Sequence, residues 1–209
     1  TKCAAEAIKN ITEAYPEMLV GAGTVLTTEQ VDAAIAAGSK FLVSPGLNPK
    51  VTAYALSKGI PMLPGCSNPS DVEAALELGL STVKFFPAEA AGGLKMLKAM
   101  AAPYGQVKFM PTGGLSEKNI LSYLEFNKIV ACGGSFMVKE EYIENGEFDK
   151  IRELTENAVK LMLGFNLKHV GINAECEEEA IKVANMFNIF GFGTKVGNSS
   201  VFAGKEVEV

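Results

Sequence analysis

Between residues 18 and 162 the chain alternates two textures, and this alternation limits its possible folds more than any other feature. One texture is a short apolar run ending in Gly, Pro, Ser or Thr. The other is amphipathic and helical, and the pair recurs roughly every 20–25 residues, the length scale of a repeating supersecondary unit. The apolar runs are Met18–Thr24, Phe41–Gly46, Pro61–Gly65, Thr82–Pro87, Val107–Gly114 and Ile129–Ser135. Near-continuous apolarity over so few residues is what a parallel strand covered on both faces requires. Thr28–Ala37 and Asn68–Leu78 open on capping residues with an early acid and stop at Gly38 and Gly79, and Ser116–Leu124 has the same texture. Strands joined by such crossovers pair in parallel, either in a closed barrel or in an open doubly wound sheet.

The position of the glycines separates these two architectures. Gly-rich segments follow several consecutive strands, as in a barrel whose active face gathers loops from all its strands. A dinucleotide fold would concentrate them after the first strand, and no GxGxxG opens a helix here. Six strand–helix units follow a lone helix at about residues 3–15, and six strands do not close by the usual geometry. The expected fold is therefore α/β, a TIM (β/α)8 barrel lacking its first two strands in this chain. From residue 166 the texture changes. His169–Ala174 reads as a strand, Glu177–Phe190 as a helix, and Ser199–Ala203 and Glu206–Val209 as short strands of a partial α+β module. The expected domains are 1–165 and 166–209. The chain opens without Met and closes on residues with the texture of a strand, so both ends are expected to be cuts in a longer protein.

Composition excludes several functions. A net charge of -5 with no Lys/Arg cluster leaves no nucleic-acid surface. No apolar stretch is long enough for a membrane span, and no signal-peptide pattern opens the chain. Cys3, Cys66, Cys132 and Cys176 lie far apart without a CxxC pair, which suits reduced, mostly buried thiols in a cytoplasmic protein.

The chemistry centres on Lys84, inside the apolar strand Thr82–Pro87. Alternation puts Lys84 and Phe86 on one face and Val83 and Phe85 on the other. If Val83 and Phe85 face the helices, Lys84 points into the barrel, where burial lowers the pKa of an amine and leaves it nucleophilic. The alternative is an edge lysine whose stem lies on apolar surface with its head in water. Gly113–Gly114 and Gly133–Gly134–Ser135 follow the last two strands, where barrels of this type commonly hold a phosphate on backbone N–H groups, and Ser135 can add a hydroxyl.

In order along the chain stand Gly21–Val25, Ser44–Gly46, Pro64–Gly65, Val83–Ala90, Gly92–Gly93, Pro111–Gly114 and Gly133–Ser135. This succession over about residues 1–163 resembles the class I aldolases that cleave 2-keto-3-deoxy-6-phosphogluconate (KDPG) and 4-hydroxy-2-oxoglutarate. The resemblance implies that Lys84 forms a Schiff base with the keto acid. It also implies that Thr24, Pro45, Phe86 and Thr112 line the keto-acid end, and that Gly113, Gly114, Gly134 and Ser135 hold the phosphate. It implies no metal and no cofactor, since the iminium is the electron sink, and it implies a homotrimer acting on a phosphorylated keto acid. The family's acid/base glutamate and substrate-carboxylate arginine should lie just before Thr1. Glu89 follows the lysine strand, but its loop position makes it a poor replacement for that base.

Residues from 166 resemble the start of a glyoxalase-type module, in which His169, the only histidine, would be a metal ligand. A single His without a second His or a partner carboxylate makes no site, so no metal is expected. Two other functions fit the scaffold: a phosphosugar isomerase or epimerase, and a non-catalytic phosphosugar-binding or regulatory protein. The isomerase would want acids or histidines at strand ends, and the six strands carry none.

Overall fold

The computed structural model describes residues 3–164, 170–171, 174–187, 194–196, 201–203 and 207–208, and divides the chain into two units, Thr1–Met162 and Leu163–Val209. In the first unit a helix α1 (Ala4–Ala14) precedes an alternation of short strands and helices. These are β1 (Gly21–Ala22), α2 (Thr28–Ala36), β2 (Phe41–Val43), α3 (Pro49–Ser57), β3 (Met62–Leu63), β4 (Gly65–Cys66), α4 (Pro69–Glu77), β5 (Thr82–Phe85), α5 (Gly93–Ala101), β6 (Lys108–Pro111) and α6 (Ile120–Leu124). Two further helices, α7 (Glu140–Glu144) and α8 (Phe148–Leu163), follow.

All strand pairings in this unit are parallel and run in sequence order, β1-β2-β3 and β4-β5-β6. β3 and β4 are two halves of one extended stretch. Pro64, which has no N–H to donate, interrupts the ladder between them, while its carbonyl accepts from Lys84 N–H at 3.0 Å. Past β6, Phe109 bridges Ile129 and Thr112 bridges Gly133, so a sixth parallel segment lies beside β6. The expected α/β alternation is present.

The helices start where the sequence can hold their free N–H groups. Thr27 accepts from Gln30 N–H, Asn48 from Lys50 and Val51 N–H, and Asn68 from Asp71 N–H. Proline follows both asparagines at the first helical position. Gly38, Gly59 and Gly79 take positive φ just past the ends of α2, α3 and α4. The last expected helix is shorter than its texture implies. Asn119 accepts from Ser116 N–H and donates to the Gly114 carbonyl, so residues 116–119 form a turn and α6 begins at Ile120.

Outward-facing strand residues build two apolar layers against the helices. Ala22, Leu42 and Met62 pack with Val31, Val51 and Ala55, while Cys66, Val83, Phe85 and Phe109 pack with Val72, Leu97, Met100 and Tyr123. The thiols depart from expectation. Cys66 is buried, whereas Cys3 and Cys176 are exposed because they occupy the N-cap positions of α1 and of the helix that opens at Glu177 rather than a packed face. Burial pushes the Cys66 thiol up to about 12, so it stays protonated and inert.

The second unit contains β7 (Val170–Gly171), α9 (Glu177–Met186), β8 (Thr194–Val196), β9 (Val201–Ala203) and β10 (Val207–Glu208). Its strand order is β7-β10-β9-β8, with β10 parallel to β7 and the other pairs antiparallel. His169 lies outside the described residues. Among the described residues, no helix is long and apolar enough to cross a membrane, and no group of three or more His, Cys, Asp or Glu could hold a metal ion.

Candidate active site

The alternation of β5 places Lys84 as the sequence implied. Val83 and Phe85 are fully buried against the helices, so Lys84 and Phe86 share the opposite face, with Lys84 Nζ 4.3 Å from the centre of the Phe86 ring. Lys84 is half-buried, and burial lowers its pKa from the ordinary lysine value of 10.5. The cause is physical: an ammonium set against a ring and an apolar strand is stripped of part of its water, which disfavours the charged form. Lys84 pairs in register with Gly65 on one side and Met110 on the other.

Gly65 is what lets the loop after β2 lie on β4, the strand beside Lys84. A Cβ built there would lie 1.9 Å from the Pro45 carbonyl oxygen and 3.0 Å from Gly46 N. The backbone of residues 45–46 therefore rests directly on β4, one strand from Lys84. Ser44 supports that loop by donating its hydroxyl to the Gly46 carbonyl at 2.8 Å. Pro45 also borders a cleft of about 350 Å³ lined by Val25, Leu26, Leu47, Val51 and Met62. Its walls do not include Lys84, so this apolar cleft is separate from the amine.

Thr24 occupies a strained position. It is the one non-glycine with positive φ among the described residues, at +58°. A β-branched side chain in the left-handed region costs on the order of 1–2 kcal/mol. Val25 N–H donates to the Val43 carbonyl at 3.1 Å, which anchors the strained turn to β2. Backbone strain at a strand end is a marker of function.

Thr112 and the glycines assemble on the other side of Lys84. The Thr112 hydroxyl is buried without a hydrogen-bond partner, an arrangement costing about 1–3 kcal/mol unless something fills it. A Cβ on Gly113 would stand 3.3 Å from the Phe86 ring, and one on Gly133 would stand 2.3 Å from Thr112 Cγ2. The Thr112–Gly133 bridge thus sets Gly113–Gly114 beside Gly134–Ser135 at neighbouring strand ends. No acceptor among the described residues takes the N–H of Gly113, Gly114, Gly134 or Ser135. Unpaired N–H groups on two adjacent loops suit an anion.

The geometry brings Lys84, Phe86, Thr112, Gly113 and Pro45 together through direct neighbours. It leaves Thr24 and Ser135 exposed at the ends of their loops, linked to the rest by backbone alone. Glu89 turns away from the lysine. Its carboxylate accepts a hydrogen bond from the Tyr123 hydroxyl of α6, on the helix side of the strands. Sequence reasoning gave Gly65 no role of its own; the only signal was the Pro64–Gly65 pair.

The family model for KDPG and KHG aldolase matches residues 1–154. The chain is 46% identical over 162 residues to the 2-dehydro-3-deoxy-phosphogluconate aldolase of Treponema pallidum, covering 78% of this chain and 77% of that protein. It is 42% identical over 160 residues to the KHG/KDPG aldolase of Escherichia coli K12, covering 77% and 75%. Among solved structures it is similar to a KDPG aldolase from Legionella pneumophila captured with pyruvate as a covalent carbinolamine intermediate. That likeness has a TM-score of 0.70 at 40% identity and covers 73% of this chain and 74% of the other.

Proposed function

The chain belongs to the KDPG and KHG aldolase family, and on that basis we propose that it cleaves KDPG to pyruvate and glyceraldehyde 3-phosphate through an imine on Lys84. The observation that carries this reading is the half-buried Lys84 amine, on the face of β5 shared with Phe86, between the Pro45 loop and the two glycine turns. The neutral amine adds to the C2 ketone, and loss of water gives an iminium. Removal of the C4 hydroxyl proton breaks the C3–C4 bond, releases the aldehyde and sends the electron pair into the iminium as an enamine. Protonation at C3 and hydrolysis then free pyruvate and restore the amine. The resemblance assigns removal of the C4 proton to a glutamate of the family's second strand and the substrate carboxylate to an arginine that follows it. Glu89, held on Tyr123, serves neither role and is no base for an isomerase either.

Thr24, Pro45, Phe86 and the partnerless hydroxyl of Thr112 line the keto-acid end, and Gly113, Gly114, Gly134 and Ser135 hold the phosphate. The six parallel segments are strands three to eight of a (β/α)8 barrel. Exposed Leu19, just before the first of them, and Val130, on the last, support closure by two more strands. The enzyme is a homotrimer on the same resemblance, and the wide spacing of its cysteines supports a cytoplasmic location. The family match ends at residue 154, and the second unit's reading as the start of a glyoxalase-like module rests on its sequence texture alone.

The direct test is pyruvate release by the full-length protein, followed by coupled NADH oxidation. One pyruvate per KDPG is expected, and 4-hydroxy-2-oxoglutarate should be cleaved with a KM about tenfold or more higher, since it lacks the phosphate. No pyruvate from either compound overturns the reading. Strain at Thr24 yields a second expectation. Thr24→Gly raises stability by up to about 1 kcal/mol while lowering kcat/KM for KDPG about tenfold, because the hydroxyl that the strain positions is gone. Thermal unfolding and steady-state kinetics on the same variant read both quantities.

A further inference from the structure

We infer that Glu89 and Tyr123 form a brace that holds the Gly113–Gly114 turn in its anion-binding shape, which makes both of them positioning residues for the phosphate end of the substrate. The inference rests on the phosphate role proposed above for that turn. Two consecutive glycines at φ +98° and +81° have no side chains to hold them, so the turn takes its shape from what grips its carbonyls. Three donors do so. Ala88 N–H donates to the Thr112 carbonyl at 2.8 Å, Glu89 N–H to the Gly113 carbonyl at 3.1 Å, and the Asn119 side-chain amide to the Gly114 carbonyl at 3.2 Å. In a planar trans peptide the C=O of one residue and the N–H of the next point in opposite directions. Holding the Thr112 and Gly113 carbonyls toward residues 88 and 89 therefore turns the Gly113 and Gly114 N–H groups away from them, toward the side where an anion would sit.

The Glu89 side chain locks this grip. Its Cβ lies where a Cβ on Gly114 would be only 2.7 Å away, so the turn and the glutamate stem are in direct contact. Its carboxylate is fixed by the hydroxyl of Tyr123, which is 1% exposed and belongs to the helix following the turn. Gly93 completes the slot: a Cβ there would stand 3.3 Å from Glu89 Oε1 and 3.5 Å from the Tyr123 hydroxyl. The brace thus ties the loop after β5, the turn after β6 and α6 into one piece. It also draws the carboxylate's negative charge toward α6 and away from the anion.

The test is KM measured for KDPG and for 4-hydroxy-2-oxoglutarate on the full-length protein and four variants. Glu89→Ala and Tyr123→Phe are expected to raise KM for KDPG about 5- to 20-fold, with kcat nearly constant, so the ratio of the two KM values rises with them. Glu89→Gln keeps a side-chain oxygen for Tyr123 and should recover most of the loss. Ser135→Ala, at the proposed direct contact, should raise KM for KDPG as well. Brace variants that raise both KM values equally, or lower kcat on both substrates, reveal a merely structural contact and overturn the inference. So does an unchanged KM for KDPG in Tyr123→Phe, the mildest change, while Ser135→Ala raises it; the phosphate role then stands and the brace does not. If Ser135→Ala and the brace variants all leave KM for KDPG unchanged, the phosphate role itself fails and the brace falls with it.

Discussion

Lys84→Arg lowers kcat/KM for KDPG cleavage by on the order of 10³-fold or more, the scale on which removal of a covalent nucleophile acts. The guanidinium keeps the charge and most of the stem but has no amine that can become a neutral nucleophile near pH 7. Lys84 is half-buried, with its head against Phe86 and outside the layer formed by Val83 and Phe85, so the variant should unfold close to the wild-type temperature. The wild-type pH profile follows from the same environment. Only the deprotonated amine attacks, so activity is lost as pH falls through the Lys84 pKa. Burial sets that pKa below the ordinary 10.5, and the ascending limb of kcat/KM should have its midpoint below that value. A midpoint at the ordinary lysine value would mean the amine is solvated in the working enzyme.

Gly65→Ala has the largest expected effect on stability, about 2–4 kcal/mol, which for a chain of this size is a fall in Tm of roughly 4–16 °C. The new methyl would meet the Pro45 carbonyl oxygen at 1.9 Å and its carbon at 2.4 Å. Both contacts are backbone, so no side chain can rotate aside, and either β4 or the loop at 44–46 must shift. Because Gly65 pairs with Lys84, the shift also reaches the amine, and kcat should fall with stability. Gly105→Ala is the control, since a Cβ there meets nothing within 4 Å and should leave Tm near wild type. Differential scanning calorimetry of the two variants separates close approach from the general effect of replacing a glycine.

Features governed by local chemistry could be read from the sequence. Period-two alternation separates Val83 and Phe85 from Lys84 and Phe86, which leaves only the choice of buried face to the fold, and the capping texture at Asn68 marks the start of α4. The glycine turns after the last two strands were visible as turns. Features that depend on what lies across space could not be read. Gly65 looks like an ordinary turn residue until the Pro45 backbone is seen lying on it. Glu89 looks like a poor replacement for the catalytic base, and only the fold reveals Tyr123, 34 residues away, as its partner. Thr24 carries no local signal for positive φ, because β-branched residues rarely adopt it. Likewise, helical texture over 116–119 gave way to a side-chain-capped turn, and Cys3 and Cys176 were exposed by their cap positions. β8 (Thr194–Val196) has no counterpart among the expected strands.

Borohydride reduction of the full-length protein in the presence of pyruvate, followed by peptide mass spectrometry, tests the central claim most directly. A reduced pyruvyl adduct on Lys84, absent from Lys84→Arg, is the predicted result. A folded protein that yields no adduct, or carries it on another lysine, would contradict the Schiff-base role of Lys84.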